Sequence, residues 1–409
     1  MADGAPLKLL VISQYFWPES FRINQVVEDL RAEGAEVTVL TGQPHYPEGR
    51  TFPGYAAWRS GVERHPSGYE IVRVPEVPRG RGGTLRLALN YVSFILSGVV
   101  LGTYRLRGRR FDAIFVYGTS PVIQGFVGTW LRRVKRAGLV LWVQDLWPAA
   151  LSATDHVKSP VLLRAVARMM KGLYRRCDLL LVQSEAFAAP VAALAGATPV
   201  RFFPNPGEHP SQGEGAPALP LGFNVIFGGN LGQAQALETV AEAAALLRAH
   251  PDVNIVLFGA GPKSGWLAAE IGRRGLTNLK LGGRLPAEAM AGVYAQASAL
   301  LLTLVKDENV ARTVPSKLQS YLMAGRPVIA AVEGEAARIV NEAGAGIACA
   351  AQDGQALADA ILALKARSEE DRAAMGKAGR AYYEAHYDPA ALARELHDCL
   401  ASVARETRL

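Results

Sequence analysis

Three cysteines in 409 residues, Cys177, Cys349 and Cys399, stand far apart. That spacing matches no zinc site and no disulfide framework, and it suits a reducing compartment. Met1–Lys8 is polar, and the apolar run Leu9–Ser13 is short and strand-like, so no signal peptide is expected. No G-x-G-x-x-G follows the first strand-like run, which argues against an ordinary NAD-dependent dehydrogenase. No interleaved aromatic and basic stripe marks a nucleic-acid module. The segment Leu87–Tyr104 holds no charged residue at all.

What is present points to two α/β domains. The chain is more than twice the length of a typical domain, and half of its residues are apolar while 20% are charged. The net charge of +7 is uneven. Residues 1–205 carry 25 Lys and Arg against 15 Asp and Glu, and residues 206–409 carry 19 against 22. The basic half calls for an anionic partner, a phosphorylated acceptor or an anionic membrane surface.

Short apolar runs alternate with helical patterns, which predicts βαβ units and a parallel sheet. Strands are expected at Lys8–Ser13, Glu36–Thr41, Glu70–Val74, Ala113–Val116, Leu139–Val143 and Leu179–Val182, with a helix over Ile23–Glu33. The Pro- and Gly-rich stretch Asn205–Leu221 reads as a linker. The pattern then restarts, with strands at Phe223–Phe227, Val253–Phe258, Leu279–Gly282, Ala299–Leu304 and Pro327–Ala331. The helical stretch Ala390–Val403 fits either half.

Leu87–Tyr104 is long enough for a membrane span. As a helix it carries a polar stripe, Asn90, Ser93 and Ser97, and arginines flank it at 79, 81 and 86 and at 105, 107, 109 and 110. A core or surface helix and a helix lying in a membrane interface both fit this pattern better than a span does.

Ligands of open α/β sheets bind beyond the carboxyl ends of strands. Five segments stand there. The loop after the first strand offers Tyr15, Trp17, Glu19, Arg22 and Asn24, either as recognition chemistry or as cover for the sheet edge. Asp145 follows the strand Leu139–Val143 and either orients an acceptor hydroxyl or caps the next turn. Two glycine loops, around Gly229-Asn230-Leu231 and Gly259–Gly261, permit close backbone approach. The segment 306–327 places Lys306, Arg312 and Lys317 around a helix start at Pro315-Ser316, with Ser316 able to cap. A helix N-terminus beside three cations is an anion site suited to a nucleotide diphosphate.

These residues resemble the retaining glycosyltransferases of family 4, in the branch that builds O-antigen, capsule and colanic acid. The likeness covers nearly the whole chain. It is carried by SQYFWPE–F–IN at 13–24, TGQPHYP at 41–47, QDLWP at 144–148, GGNLG at 228–232, FGAGP at 258–262 and TVPSKLQSYLMAGRPVIA at 313–330. The resemblance implies the GT-B fold, two Rossmann-like domains facing each other across a cleft. It divides the chain into an acceptor domain, 1–205 with a returning C-terminal helix at 388–409, and a donor domain, 206–387. It implies a donor set of Gly229, Asn230, Leu231, Gly259, Gly261, Arg284, Lys306, Asp307, Glu308, Thr313, Ser316 and Gln319. Asp145, Lys317 and Arg312 would serve the chemistry, and Tyr15, Trp17, Glu19, Arg22 and Asn24 the acceptor. No cofactor and no metal are expected, and the chain has no Asp-x-Asp motif.

Two departures stand out. The broad family places two glutamates eight apart before the A-x-G-x-P-V turn, where this chain has Arg312 and Ser320. The family's Arg and Lys near the first glycine loop are replaced by Asn230, Gln233 and Gln235. The expected activity is sugar transfer from a UDP-sugar, N-acetylated or 6-deoxy, to a polyprenyl-diphosphate-linked acceptor. The site is the cytoplasmic face of a membrane, with peripheral contact and no nucleic-acid partner. A nucleotide-sugar epimerase and a non-catalytic sugar-nucleotide scaffold are the rival readings.

Overall fold

The computed structural model describes residues 5–80, 83–153, 159–208 and 215–408. The chain divides into two compact units, Met1–Pro204 with Pro389–Leu409, and Asn205–Asp388. The break after Pro204 falls where the Pro- and Gly-rich stretch begins. Within that stretch 209–214 lie outside the described residues, as does Arg81.

In the first unit the strands are β1 (Lys8–Ile12), β2 (Glu36–Thr41), β3 (Gly61–Arg64), β4 (Glu70–Arg73), β5 (Ala113–Gly118), β6 (Gly138–Val143), β7 (Leu179–Val182) and β8 (Val200–Phe202). They form one sheet in the order β3-β4-β2-β1-β5-β6-β7-β8. All neighbours are parallel except the β3–β4 hairpin. β5 and β6 are buried along their whole length, as strands covered on both faces must be. Alternate residues feed two cores. Ile12, Leu40, Val116 and Leu141 face one side, and Val11, Val39, Phe115 and Trp142 the other. The edge strands β3 and β8 were not expected from the sequence. β3 alternates half-buried with exposed residues, and β8 is three residues long, so neither leaves an apolar run.

In the second unit β9 (Phe223–Gly228), β10 (Val253–Phe258), β11 (Leu279–Gly283), β12 (Ala299–Thr303), β13 (Val328–Ala331) and β14 (Gly346–Cys349) are all parallel, in the order β11-β10-β9-β12-β13-β14. Strand order reverses between β9 and β12, as it does between β1 and β5 in the first unit. Such reversal points open a crevice at the carboxyl ends of the strands.

The last helix, Pro389–Arg408, packs in the first unit. Leu392, Leu396 and Leu400 recur every four residues and are buried with the helix Arg22–Ala32. Val403 reaches β6 where Gly138 leaves room: a Cβ at 138 would stand 2.5 Å from the Val403 side chain.

The uncharged segment is helical from Thr84 to Arg105, with a π-helical stretch at Gly98–Gly102. Tyr91, Phe94, Gly98 and Gly102 pack inward.

Candidate active site

In the second unit, two glycine loops leave adjacent strands and lock together. The Gly229 N–H donates to Phe258 O at 2.9 Å, and the Leu231 N–H to Ala260 O at 3.0 Å. A Cβ on Gly259 would stand 1.8 Å from Gly229 O, and one on Gly261 2.5 Å from the Asn230 side chain. The close backbone approach that Gly259 and Gly261 permit is made by the neighbouring loop. Leu231 is buried in the core, while Asn230 and Arg284 are exposed. Tyr321, unremarked in the sequence, secures the end of β9: its hydroxyl accepts from the Gly228 N–H at 3.0 Å.

Against this loop lies Lys317. Its Nζ sits 3.7 Å from the centroid of the Phe227 ring and donates to Gln235 Oε1. Its stem lies beside Gly229, where a Cβ would stand 2.7 Å from Lys317 Cε. Gln235 is itself fixed, because its carbonyl accepts from the Thr303 hydroxyl at 2.7 Å. The helix Ser316–Ala324 begins at Pro315 and has no side-chain cap. Ser316 is thus the first helical residue and not the cap that the sequence suggested. A lysine in the first turn faces the positive end of the helix dipole. No ion pair offsets it among the described residues, and burial pulls its ammonium down to about 7. A charge held at such a cost, at a helix start with no side-chain cap, is an anion-binding arrangement.

The other cations do not join it. Arg312 pairs with Glu308 across one helical turn. Lys306 is exposed, and its backbone N–H donates to Gln352 at 2.8 Å. Asp307 is occupied as the cap of the helix Glu308–Ala311, accepting from the Asn309 and Val310 amides at 2.9 and 3.0 Å. Thr313 donates to Val310 O at 2.8 Å. Gln319 is buried and donates to Asn205 O at 2.6 Å, holding the start of the unit. The sequence grouped these residues because they are close in the chain. The contacts leave Lys317 at the glycine loop and tie the others to partners elsewhere.

In the first unit, most of the loop after β1 is scaffold. Glu19 is buried, and its carboxylate accepts from the amides of His45 at 2.8 Å, Tyr46 at 2.6 Å and Phe16 at 3.2 Å. Asn24 accepts from the Trp17 amide at 3.1 Å and donates to Glu19 O at 2.6 Å. Tyr15 is buried, stacked on Phe21, with its hydroxyl on Asn90 Oδ1 at 3.1 Å. Trp17 is half-buried edge-on to His65. Arg22, the first residue of its helix, is half-buried.

Beneath this loop lies a polar cluster that the sequence did not reveal. Gln14 donates to Glu76 Oε2 at 2.8 Å and to Asn90 Oδ1 at 3.0 Å. His45 Nδ1 donates to Gln43 O at 2.8 Å and lies 3.4 Å from Glu76 Oε1. Burial pushes the Glu76 carboxyl up, with the His45 N–H acting against it.

Asp145, just beyond β6, accepts from the Ser120 amide at 2.7 Å, and burial holds its carboxyl above the usual range. It lines a pocket of about 410 Å³ with Arg79, Tyr91, Ser120, Trp147 and one side of the helix Thr84–Ser97. Arg79 lies over the rings of Tyr15 and Tyr46, at 5.9 and 5.7 Å. The wall is mainly apolar, with one cation and one carboxylate. Among the described residues no group of three His, Cys, Asp or Glu is placed to hold a metal ion.

Two family models match this chain. Residues 222–367 match glycosyl transferases group 1, and residues 20–206 match the glycosyl transferase 4-like domain. The chain belongs to the family 4 glycosyltransferases. The transferase is similar over most of its length to curated bacterial proteins. A putative colanic acid biosynthesis glycosyl transferase, WcaI of Escherichia coli (strain K12), is 27% identical over 348 residues, 80% of this chain and 84% of that one. The probable glycosyltransferase WbjE of Pseudomonas aeruginosa is 24% identical over 359 residues, 83% and 86% of the two chains.

Among solved structures, sucrose-phosphate synthase of Thermosynechococcus elongatus superposes with a TM-score of 0.74 at 18% identity, covering 98% of this chain and all of that one. HepE of Anabaena, solved with UDP-glucose, gives 0.65 at 15%, covering 97% and 100%. The transferase therefore has the GT-B fold of two parallel-sheet domains. Within it, Gln235 stands among the glutamines that replace the family's basic pair. Its link to Lys317 joins positions 82 residues apart, which no local motif displays.

Proposed function

We propose that this glycosyltransferase moves a sugar, with retention of configuration, from a UDP-sugar to a lipid-linked saccharide acceptor during cell-surface polysaccharide synthesis. The observation that carries the reading is Lys317, a partly buried cation with no carboxylate partner among the described residues, set at an uncapped helix start against Gly229. A nucleotide diphosphate supplies the missing anion. The UDP complexes of HepE and the colanic acid relative support the donor and the pathway class.

In this reading, the acceptor hydroxyl oxygen bonds to the anomeric carbon on the face from which the diphosphate oxygen leaves. Its proton passes to that departing oxygen. Lys317 and the first-turn amides of Ser316–Ala324 stabilise the negative charge that develops there. Asp145 orients the acceptor hydroxyl, and Arg79, in the same apolar pocket, takes an acceptor phosphate. The protein acts on the cytoplasmic side of the membrane and needs no metal.

The test is to incubate the protein with UDP-, GDP- and TDP-sugars and a polyprenyl-diphosphate-linked sugar, and to follow nucleotide release and the product anomer by NMR. Transfer from a UDP-sugar with retention is expected. Sugar isomerisation without acceptor would replace the reading with an epimerase. Nucleotide binding without any turnover would replace it with a scaffold.

A further inference from the structure

The helix Thr84–Arg105 is long and apolar enough to cross a membrane by length and composition, yet it is built into the first unit. It is apolar on two sides, since Tyr91 and Phe94 pack into the core while a second apolar stripe faces away from it. The polar stripe points at the protein. Ser93 Oγ accepts from the Val77 amide at 2.9 Å, Ser97 Oγ donates to Pro75 O at 2.5 Å, and Asn90 is buried on Val77 O at 2.7 Å. The apolar stripe points out: Leu85, Leu89, Val92, Leu96, Val100 and Tyr104 are 48–76% exposed. These positions recur every three or four residues, one continuous face. A regular α-helix would let the four-residue spacing from Leu96 onward drift around the axis. The π stretch Gly98–Gly102 takes more residues per turn and keeps Val100 and Tyr104 in line.

The neighbouring helix Gly125–Lys135 extends the same surface. Trp130, 44% exposed, donates its indole N–H to Thr103 at 3.0 Å, and Val134 follows one turn later. A ring with an apolar body and a polar handle suits the boundary between water and lipid. Around this face the charge has one sign. Residues 84–136 contain nine Lys and Arg and a single acid, Asp112. Arg86, Arg107, Arg110, Arg133 and Arg136 are exposed and form no ion pair among the described residues. The remaining bases of this stretch have partners, such as Arg109 on Glu70 and Arg132 on Asp178.

We propose that this face is a seat for an anionic lipid bilayer, with the helix lying in the plane of the interface, its leucines among the acyl chains and its arginines on lipid phosphates. The charge excess selects a lipid surface over a second copy of the same basic face, which would repel it. Leu87, Ala88, Tyr91 and Val92 of the same helix line the pocket that holds Asp145. Seating the helix in the interface therefore brings that pocket to the depth of the headgroups.

The test is co-sedimentation of the purified chain with phosphatidylcholine vesicles, with and without 30 mol% phosphatidylglycerol, in the absence of donor and acceptor. Failure of the nucleotide reading leaves this measurement untouched. Binding to the anionic vesicles and its loss at high salt are expected. Leu89→Gln with Leu96→Gln should weaken partition by about tenfold or more, since each leucine transfers roughly 1.5–3 kcal/mol when fully buried. Arg107→Glu with Arg110→Glu should remove the preference for phosphatidylglycerol. All four side chains are exposed, and an unchanged Tm confirms that the variants fold. Three results overturn the seat: folded protein that ignores anionic vesicles, protein that resists alkaline carbonate extraction as a span would, or a light-scattering dimer that the leucine variant dissolves.

Discussion

Lys317 makes nucleotide binding a proton-linked event. Its ammonium titrates at about 7 in the free protein because burial opposes its charge. A diphosphate at the helix start favours the charged form and lifts that value toward or beyond the ordinary one of about 10.4. Below about pH 6 the lysine is almost fully charged and affinity is flat. Above it, each binding event must take up a proton. Half of the molecules carry the charge at pH 7, and roughly one in a hundred at pH 9, so the dissociation constant should rise by about 50-fold, or ~2.3 kcal/mol. The second ionisation of a phosphate monoester lies near 6, so the ligand contributes little slope in that window. Calorimetric titration of UDP at pH 7.5, in buffers of different ionisation enthalpy, should register uptake of about three quarters of a proton. Lys317→Arg should bind with no slope from pH 7 to 9, and Lys317→Met should bind more weakly with no slope. A flat affinity and no proton uptake in the unaltered protein would refute the placement of the diphosphate. The stability sign is opposite. A lysine whose folded value is depressed destabilises the fold while it is charged, so stability rises with pH from about 7 to the unfolded value near 10.4. Lys317→Met should accordingly raise the apo Tm near neutral pH, by about 2–4 °C for each kcal/mol relieved, while removing the shift caused by nucleotide.

Gly259→Ala should cost roughly 2–4 kcal/mol and displace the Gly229 loop, because φ is +144° and the new Cβ would stand 1.8 Å from a backbone oxygen; a lower Tm and weaker UDP binding check it. Glu76→Ala should destabilise the first unit by about 3–5 kcal/mol by leaving His45, Gln14 and Asn90 without their shared carboxylate, read by urea unfolding. Asp145→Asn should lower kcat by about a hundredfold with the UDP dissociation constant unchanged, since Asp145 lies in the first unit and Lys317 in the second. Tyr321→Phe should cost about 1–3 kcal/mol by stranding the buried Gly228 N–H, measured by thermal unfolding, with a rise in the UDP dissociation constant as the β9 loop loosens.

The sheets were legible because buried parallel strands are runs of Val, Ile and Leu, as in Val253–Phe258. The edges were not: β14 is only Gly-Ile-Ala-Cys, four half-buried residues with small side chains, too short for a clear strand run. Site residues were legible as positions but seldom as roles. Glu19 and Asn24 have the chemistry of ligand contacts, yet their partners are backbone amides and a carbonyl, some of them 26 and 27 residues away. Asp307, in the donor set that the resemblance implies, serves as a helix cap, because a carboxylate two residues before free amides is satisfied locally. Lys317 was found by its position at a helix start. Its isolation from acids, which makes it informative, was visible only once Arg312 was seen to belong to Glu308.

The last helix gives the chain an order of completion. Residues 389–408 close the core of the first unit, but the ribosome adds them after all of the second. Until then the buried side of the helix Arg22–Ala32 and the β6 strand beside Gly138 lack their cover. The second unit, whose residues 205–388 are contiguous, has every strand of its sheet in hand before the first is finished. The first unit thus has its whole sheet in hand by Pro204 yet waits for its last helix, and a fragment ending at Pro204 carries an open apolar face from the moment it is released.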